Sequence, residues 1–302
     1  MGRAGTVSMV TILAAASQAN LLLSALPKTN VALVDQSSLI VWDPATKTEH
    51  LVQTSTFLSK ANRFDIIVPT PTMPKVETVG PTVFDRLMNV LHPATDLVDF
   101  GGQQTPTQPA KAPSVGYLKT TSLKASDVVA LYEWMDKNGY KPSMDQRKWL
   151  EKYVVKGWYL TMLQVQTNEE SFRTLPIRLS FKTNAPVAPT STPDHTWLAG
   201  VRRQTFLLSP ENRDGYYSLK KSWSAEPESH AYVTTTITER LMKDLKLASN
   251  DLPGKAWVNR FVEMGKVSTS PDDLVFLPKT AVKKQTKARK PTEKPTGSRS
   301  GY

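Results

Sequence analysis

The sequence predicts an α+β fold: an antiparallel β-sheet packed by helices, an αα-hairpin among them, followed by a disordered basic C-terminal tail. Three observations lead there. Runs of β-formers separated by turn chemistry occupy residues 31–69. Two capped helical segments follow one another over 126–156. Residues 279–302 hold eight Lys/Arg against one acid, with almost no apolar side chain.

Taken in order, Leu39–Trp42 is a short β-run, and Asp43-Pro44-Ala45-Thr46 is a turn in which proline presets φ at the second position. His50–Phe57 alternates, completing a β-hairpin. Phe64–Pro69 reads as a third strand of the same sheet. Pro69, Pro71 and Pro74 remove ladder donors, so the sheet should end there. Gly80-Pro81 suits an N-cap glycine before a proline at the first helical position. Val83/Phe84, Leu87/Met88 and Leu91 then recur at helical spacing, and His92-Pro93 closes the helix.

Residues 100–113, rich in Pro, Gly and Gln, form a loop and the expected interior sub-boundary. Residues 114–120 read as a strand. Ser126 is placed to cap a helix that ends at Asn138-Gly139 with a left-handed glycine. Ser143 and Gln146 make a capping box for a second helix carrying Trp149, Leu150, Tyr153 and Val154 and closed by Lys156-Gly157. Residues 158–166 leave as a strand, and 174–183 alternates as a half-buried one. Strands are expected at Arg203–Leu208 and Ala231–Thr236, a helix at 237–246 and a short helix at 257–264.

Four blocks of this chain resemble a known bacterial family. They are "SLIVWDPATKTEHLV", "FDIIVPTPTMP…VFDRL", "LYEWMDKNGY…WLEKYVVKGWYLTMLQV" and "PIRLSFKTNAPVAP". Their order and spacing are similar to the family catalogued as domain of unknown function 2330, over roughly residues 35–190. The resemblance implies export, generally with a signal peptide, and in some members a C-terminal membrane segment. It implies no activity and no catalytic residues. Many relatives carry cysteines near the mature N-terminus; this chain has none, which excludes a lipid-anchored cysteine here.

The net charge of +11 is concentrated: the tail contributes +7 and residues 1–278 only +4. A Lys/Pro/Thr/Ser segment buries too little apolar surface to offset its ordering entropy, so 279–302 is expected to be disordered. Lys283, Lys284, Lys287, Arg289 and Lys290 are its candidate polyanion contacts. It lacks interleaved aromatics, which disfavours nucleic acid as its partner. No cysteine means no disulfide and no thiolate chemistry. At the other end, Arg3 precedes an apolar run from Val7 to Ala16, and Ser17-Gln18-Ala19 fits a signal-peptidase site. The expected organisation is a signal peptide at 1–19, an α+β domain at 28–278 and the tail. The location is then extracytoplasmic, with membrane association through the N-terminal segment if it stays uncleaved.

Chemistry is sparse. His50, His92, His195 and His230 form no close metal-ligand pair, and there is no G-x-S-x-G elbow or Gly-rich phosphate loop. No catalytic residue, metal or cofactor is assigned. Glu169-Glu170 and Asp272-Asp273 are adjacent pairs; neighbours on a strand point to opposite faces, so both read as solvated surface. Trp134, Trp149, Trp158 and Tyr159 read as packing residues, with a glycan-stacking platform as the alternative. Four residues are candidates for binding. Trp42 stands beside the Asp43-Pro44 turn as an exposed aromatic, with His50 close in sequence. Thr70 and Thr72 are presented by prolines that hold the backbone extended. The reading is a non-enzymatic binding or structural module of the cell envelope, with an envelope protein or anionic polymer as partner. Its rivals are an envelope hydrolase pairing His50 with a carboxylate such as Asp43, and a cytoplasmic polyanion binder acting through the tail.

Overall fold

The computed structural model describes residues 21–23, 31–92, 114–124, 127–191, 201–217, 221–222, 226–248, 255–264 and 273–279. The expected leader, the 100–113 loop and the tail beyond Lys279 lie outside these residues. The described chain is a mixed α/β structure, mostly strand, with four helices.

A long hairpin is its centre. Strands β2 (Val31–Asp43) and β3 (Thr48–Ser59) pair antiparallel along their whole length. The turn forms as its residues predict: Asp43 accepts from the Ala45 N–H at 2.8 Å and from the Thr46 hydroxyl, and Lys47 takes a φ of 52°. Around the hairpin a nine-stranded sheet runs in the order β15 (Glu226–Val233), β16 (Ala256–Met264), β12 (Arg202–Ser209), β2, β3, β10 (Ile177–Lys182) and β5 (Lys75–Thr78). β9 (Ser171–Thr174) also pairs with β3, and β6 (Ser114–Val115) with β9. The pairings are antiparallel except β12 with β2 and β6 with β9. A second sheet runs β1 (Leu21–Leu23), β4 (Arg63–Thr70), β8 (Tyr159–Gln166) and β7 (Tyr117–Leu123); a third runs β11 (Val187–Ala188), β17 (Leu274–Pro278), β13 (Arg213–Tyr217) and β14 (Lys221–Ser222).

Three apolar clusters stack these elements into layers, as elements with one apolar face require. On the inner face of the large sheet, Ile40, Leu51, Leu179, Phe181, Leu207 and Phe261 meet Phe64, Ile66 and Val165 of the second sheet and Leu274 and Phe276 of the third. On its outer face, Leu39, Val41, Val52, Phe206 and Val258 are covered by α1 (Val83–Leu91) and α4 (Thr235–Asp244). The far side of the second sheet offers Ile67, Leu160 and Met162 to α2 (Val128–Lys137) and α3 (Met144–Val155). Helices α2 and α3 share that cluster, and the Tyr132 hydroxyl of α2 donates to Glu151 of α3 at 2.6 Å.

Local signals mostly formed as expected. Ser143 and Gln146 make the capping box, and Gly139 and Gly157 end their helices at φ of 79° and 68°. The differences are long-range. β4 does not join the hairpin's sheet; it pairs with β1 and β8 in the second one. Pro69 stays inside β4, opposite Leu160, at a position where no second strand pairs with β4 among the described residues. After the prolines the chain makes β5 on the large sheet, so the segment carries the backbone from one sheet to the other. α1 begins at Val83 with Thr82 as its cap, past Gly80-Pro81. Asp127, accepting from the Ala130 N–H at 2.8 Å, caps α2, whereas Ser126 lies outside the described residues. Residues 257–264, expected as a short helix, lie in strand β16, held between β15 and β12.

Candidate functional site

The register of the large sheet gathers polar side chains where its inner face runs beyond the apolar core. Arg203 of β12 stands between Gln36 of β2 and Glu263 of β16, and Ser38 pairs with Gln53 of β3 and Thr205 of β12. These residues, with Leu51, Ala188 and Thr190, line a cavity of about 20 Å³. Gln36 and Gln53 are each only 4% exposed. Gln53 Nε2 donates to Ser38 Oγ at 3.4 Å, and the Arg203 guanidinium stands 3.8 Å from Glu263. Gln36 Nε2 and Gln53 Oε1 are buried without a protein partner among the described residues. An unmet donor and an unmet acceptor in a space this size suit an ordered water, which needs about 10–15 Å³ and at least two polar partners. The same space is too small for a sugar or a peptide.

Next to the cavity, Glu49 of β3 is fully buried opposite Trp42 of β2 and Phe181 of β10. One carboxyl oxygen accepts from the Val187 N–H at 2.7 Å; among the described residues the other has no partner, and neither does Trp42 Nε1. Burial holds the Glu49 carboxyl well above its ordinary pKa, with the Val187 N–H offsetting a part. Glu49 therefore pins β11 of the third sheet to the large sheet.

A second polar cluster joins α3 to β17. Asp273 accepts from the Tyr153 hydroxyl at 2.6 Å, from Lys156 Nζ at 2.6 Å and from the Ser191 N–H at 3.4 Å. Trp149 Nε1 donates to the Ser191 carbonyl at 2.6 Å, and Lys152 Nζ lies 2.9 Å from Ser191 Oγ. Asp273 is 7% exposed, so the adjacent-acid reading of Asp272-Asp273 as surface is corrected for its second member. Its contacts with Tyr153 and Lys156 of α3 and with the Ser191 N–H are what enclose it. Glu169 and Glu170 are exposed as expected.

The four sequence candidates do not converge. Trp42 is 3% exposed, not the surface aromatic expected, because both faces of β2 are covered at 39–43. His50 is also buried, on the outer face, with Nδ1 2.8 Å from Ser180 Oγ, while Asp43 directs its carboxyl into its own turn. Thr70 is buried and donates to the Thr72 carbonyl at 2.9 Å. Thr72 Oγ1 donates to the Lys182 carbonyl at 3.0 Å and accepts from its N–H at 2.8 Å, acting as one more ladder residue at the end of β10. These threonines anchor the proline segment. Lys283, Lys284, Lys287, Arg289 and Lys290 lie outside the described residues. Trp149 is buried, and Trp134 stacks on Tyr140 with ring centroids 5.9 Å apart. Gln36, Gln53, Arg203 and Glu263 were missed, because a polar residue on an alternating strand reads as solvent-facing until the strand's neighbours are known.

Comparison with known proteins adds a family and little else. The model of a family described as an uncharacterized protein conserved in bacteria (DUF2330) matches residues 22–193. No curated protein matches the chain. Among solved structures, the crystal structure of baculovirus P35 superposes with a TM-score of 0.47 at 10% identity, covering 84% of this chain and 98% of that one.

Proposed function

Since the chain belongs to the DUF2330 family of uncharacterized proteins conserved in bacteria, we propose that it is an exported cell-envelope protein acting as a non-enzymatic binding or structural module. The observation that carries the non-enzymatic reading is how the buried polar groups are used. Glu49 and Asp273 each tie one layer to another, the inter-sheet cavity has room only for a water, and the open recess of about 430 Å³ beside Tyr117 and Gln166 is lined by no histidine or carboxylate among the described residues. In this reading α2 and α3 act as a helical hairpin that roofs the second sheet. Export rests on the apolar N-terminal run and the Ser17-Gln18-Ala19 site. Cleavage after Ala19 would keep Leu21–Leu23 in the chain and on β4. The partner in this reading is an envelope protein or an anionic polymer.

A hydrolase would need His50 as a base, and that sets the test. Purified wild-type chain and a His50→Gln variant are assayed against ester, peptide and glycan substrates. Hydrolysis by both should equal the buffer rate. Wild-type turnover that His50→Gln abolishes would replace this reading with the hydrolase one.

A further inference from the structure

The outer face of the large sheet carries a charged row beyond the reach of α1 and α4. Read across four adjacent strands, Arg202 of β12 pairs with Asp35 of β2, Asp35 with Thr56 of β3, and Thr56 with Arg173 of β9. Residues in register share a face, so all four side chains lie on one side of the sheet. That side is the helix-covered one, because Leu39 of β2 and Phe206 of β12 lie on it at even spacing from Asp35 and Arg202. All four are half-buried. The next row inward is polar and buried: Gln204 Nε2 donates to Ser37 Oγ at 2.8 Å, and Thr54 follows on β3. Behind it Arg260 bonds Gln204 Oε1 at 3.1 and 3.3 Å and lies over the Phe206 ring.

Neither Arg202 nor Arg173 makes an ion pair within 4 Å among the described residues. Arg173 Nε reaches the Thr54 hydroxyl at 3.3 Å, which leaves the outer edge of its guanidinium without a partner among the described residues. Both arginines act on Asp35 only through space. The row thus presents two guanidinium forks against one carboxyl, with hydroxyl donors beside them.

We propose that Arg202, Thr56 and Arg173 form a docking row for a phosphate-bearing polyanion on the outer face of the large sheet. Charge complementarity argues for an anion, and the guanidinium fork matches phosphate oxygens in pairs. Three interstrand spacings separate the two arginine backbones by about 14 Å, a span that repeated charges along a polymer cover better than one small ion. Asp35, standing between the forks, opposes the ligand and so gives the row a variant of opposite sign. The proposal rests on the binding-module reading for its biological setting, while the binding is a property of the isolated chain.

The probe is long-chain polyphosphate, titrated against the full chain over a range of salt, with inorganic phosphate and polyglutamate run in parallel. The tail is present throughout, so only differences between variants are read. Arg173→Gln with Arg202→Gln should weaken polyphosphate binding about tenfold and reduce the slope of log K against log salt by about 1.5. Asp35→Asn should tighten it. Unchanged affinity in both variants would overturn the row. Equally tight binding of inorganic phosphate would overturn the polymer, and of polyglutamate the phosphate. Any of these would leave the export reading untouched, whereas a cytoplasmic location would leave the row standing without its proposed setting.

Discussion

Replacing Asp273 by alanine is expected to cost about 3 kcal/mol of stability, or roughly 6–12 °C in Tm. Asp273 is one of the few places where α3, β17 and residue 191 are tied by a single side chain. Its removal takes a close acceptor from the buried Tyr153 hydroxyl and the counter-ion from Lys156. The hydroxyl dominates: Lys156 is about a third exposed, 34% by side chain, so its half of the pair is screened and worth little. Asp273→Asn should therefore recover most of the loss, since an amide oxygen still accepts from Tyr153. Thermal unfolding of both variants checks this. A cost below about 0.5 kcal/mol for Asp273→Ala would mean the cluster does not hold the layers together.

The second large effect is a pH dependence from Glu49. Its carboxyl is neutralised by burial in the folded state, so its folded pKa lies above the ordinary value of 4.5. Below 4.5 both folded and unfolded chains hold the proton and the stabilisation is complete. As pH rises, the unfolded chain releases the proton first, and stability falls until the folded pKa is passed. The side chains facing Glu49 across the sheet are Trp42 and Phe181, and burial outweighs the Val187 N–H in setting its protonation. Glu49→Gln mimics the neutral acid and should remove this part of the pH slope. Denaturant unfolding of wild type and variant from pH 5 to 9 measures it. Parallel curves for the two proteins would contradict the assignment.

What the sequence revealed was local. The Asp43–Thr46 turn, the Ser143/Gln146 box and the two helix-ending glycines are settled by residues within a few positions of one another, and each formed. Partner strands are chosen by which apolar faces can be buried together, and no short window contains that choice. Hence Phe64–Pro69 read correctly as a strand but was assigned to the wrong sheet, and residues 257–264 became strand β16 because β15 and β12 flank them. The candidate site was hidden for the same reason. Gln36 and Gln53 stand in the polar runs 35–38 and 53–56, which read as surface, and only the third sheet packed over them makes them interior. Trp42 failed in the same direction: its turn is exposed, but the strand leading to it is covered on both faces. The Arg202–Asp35–Thr56–Arg173 row spans positions 35 to 202 and exists only through the parallel pairing of β12 with β2.

The most direct test of the proposed envelope role is the intact mass and cellular fraction of the protein in a bacterium that makes it. The expected result is an extracytoplasmic chain that has lost residues 1–19 and begins at Asn20. A full-length chain confined to the cytoplasm would contradict it.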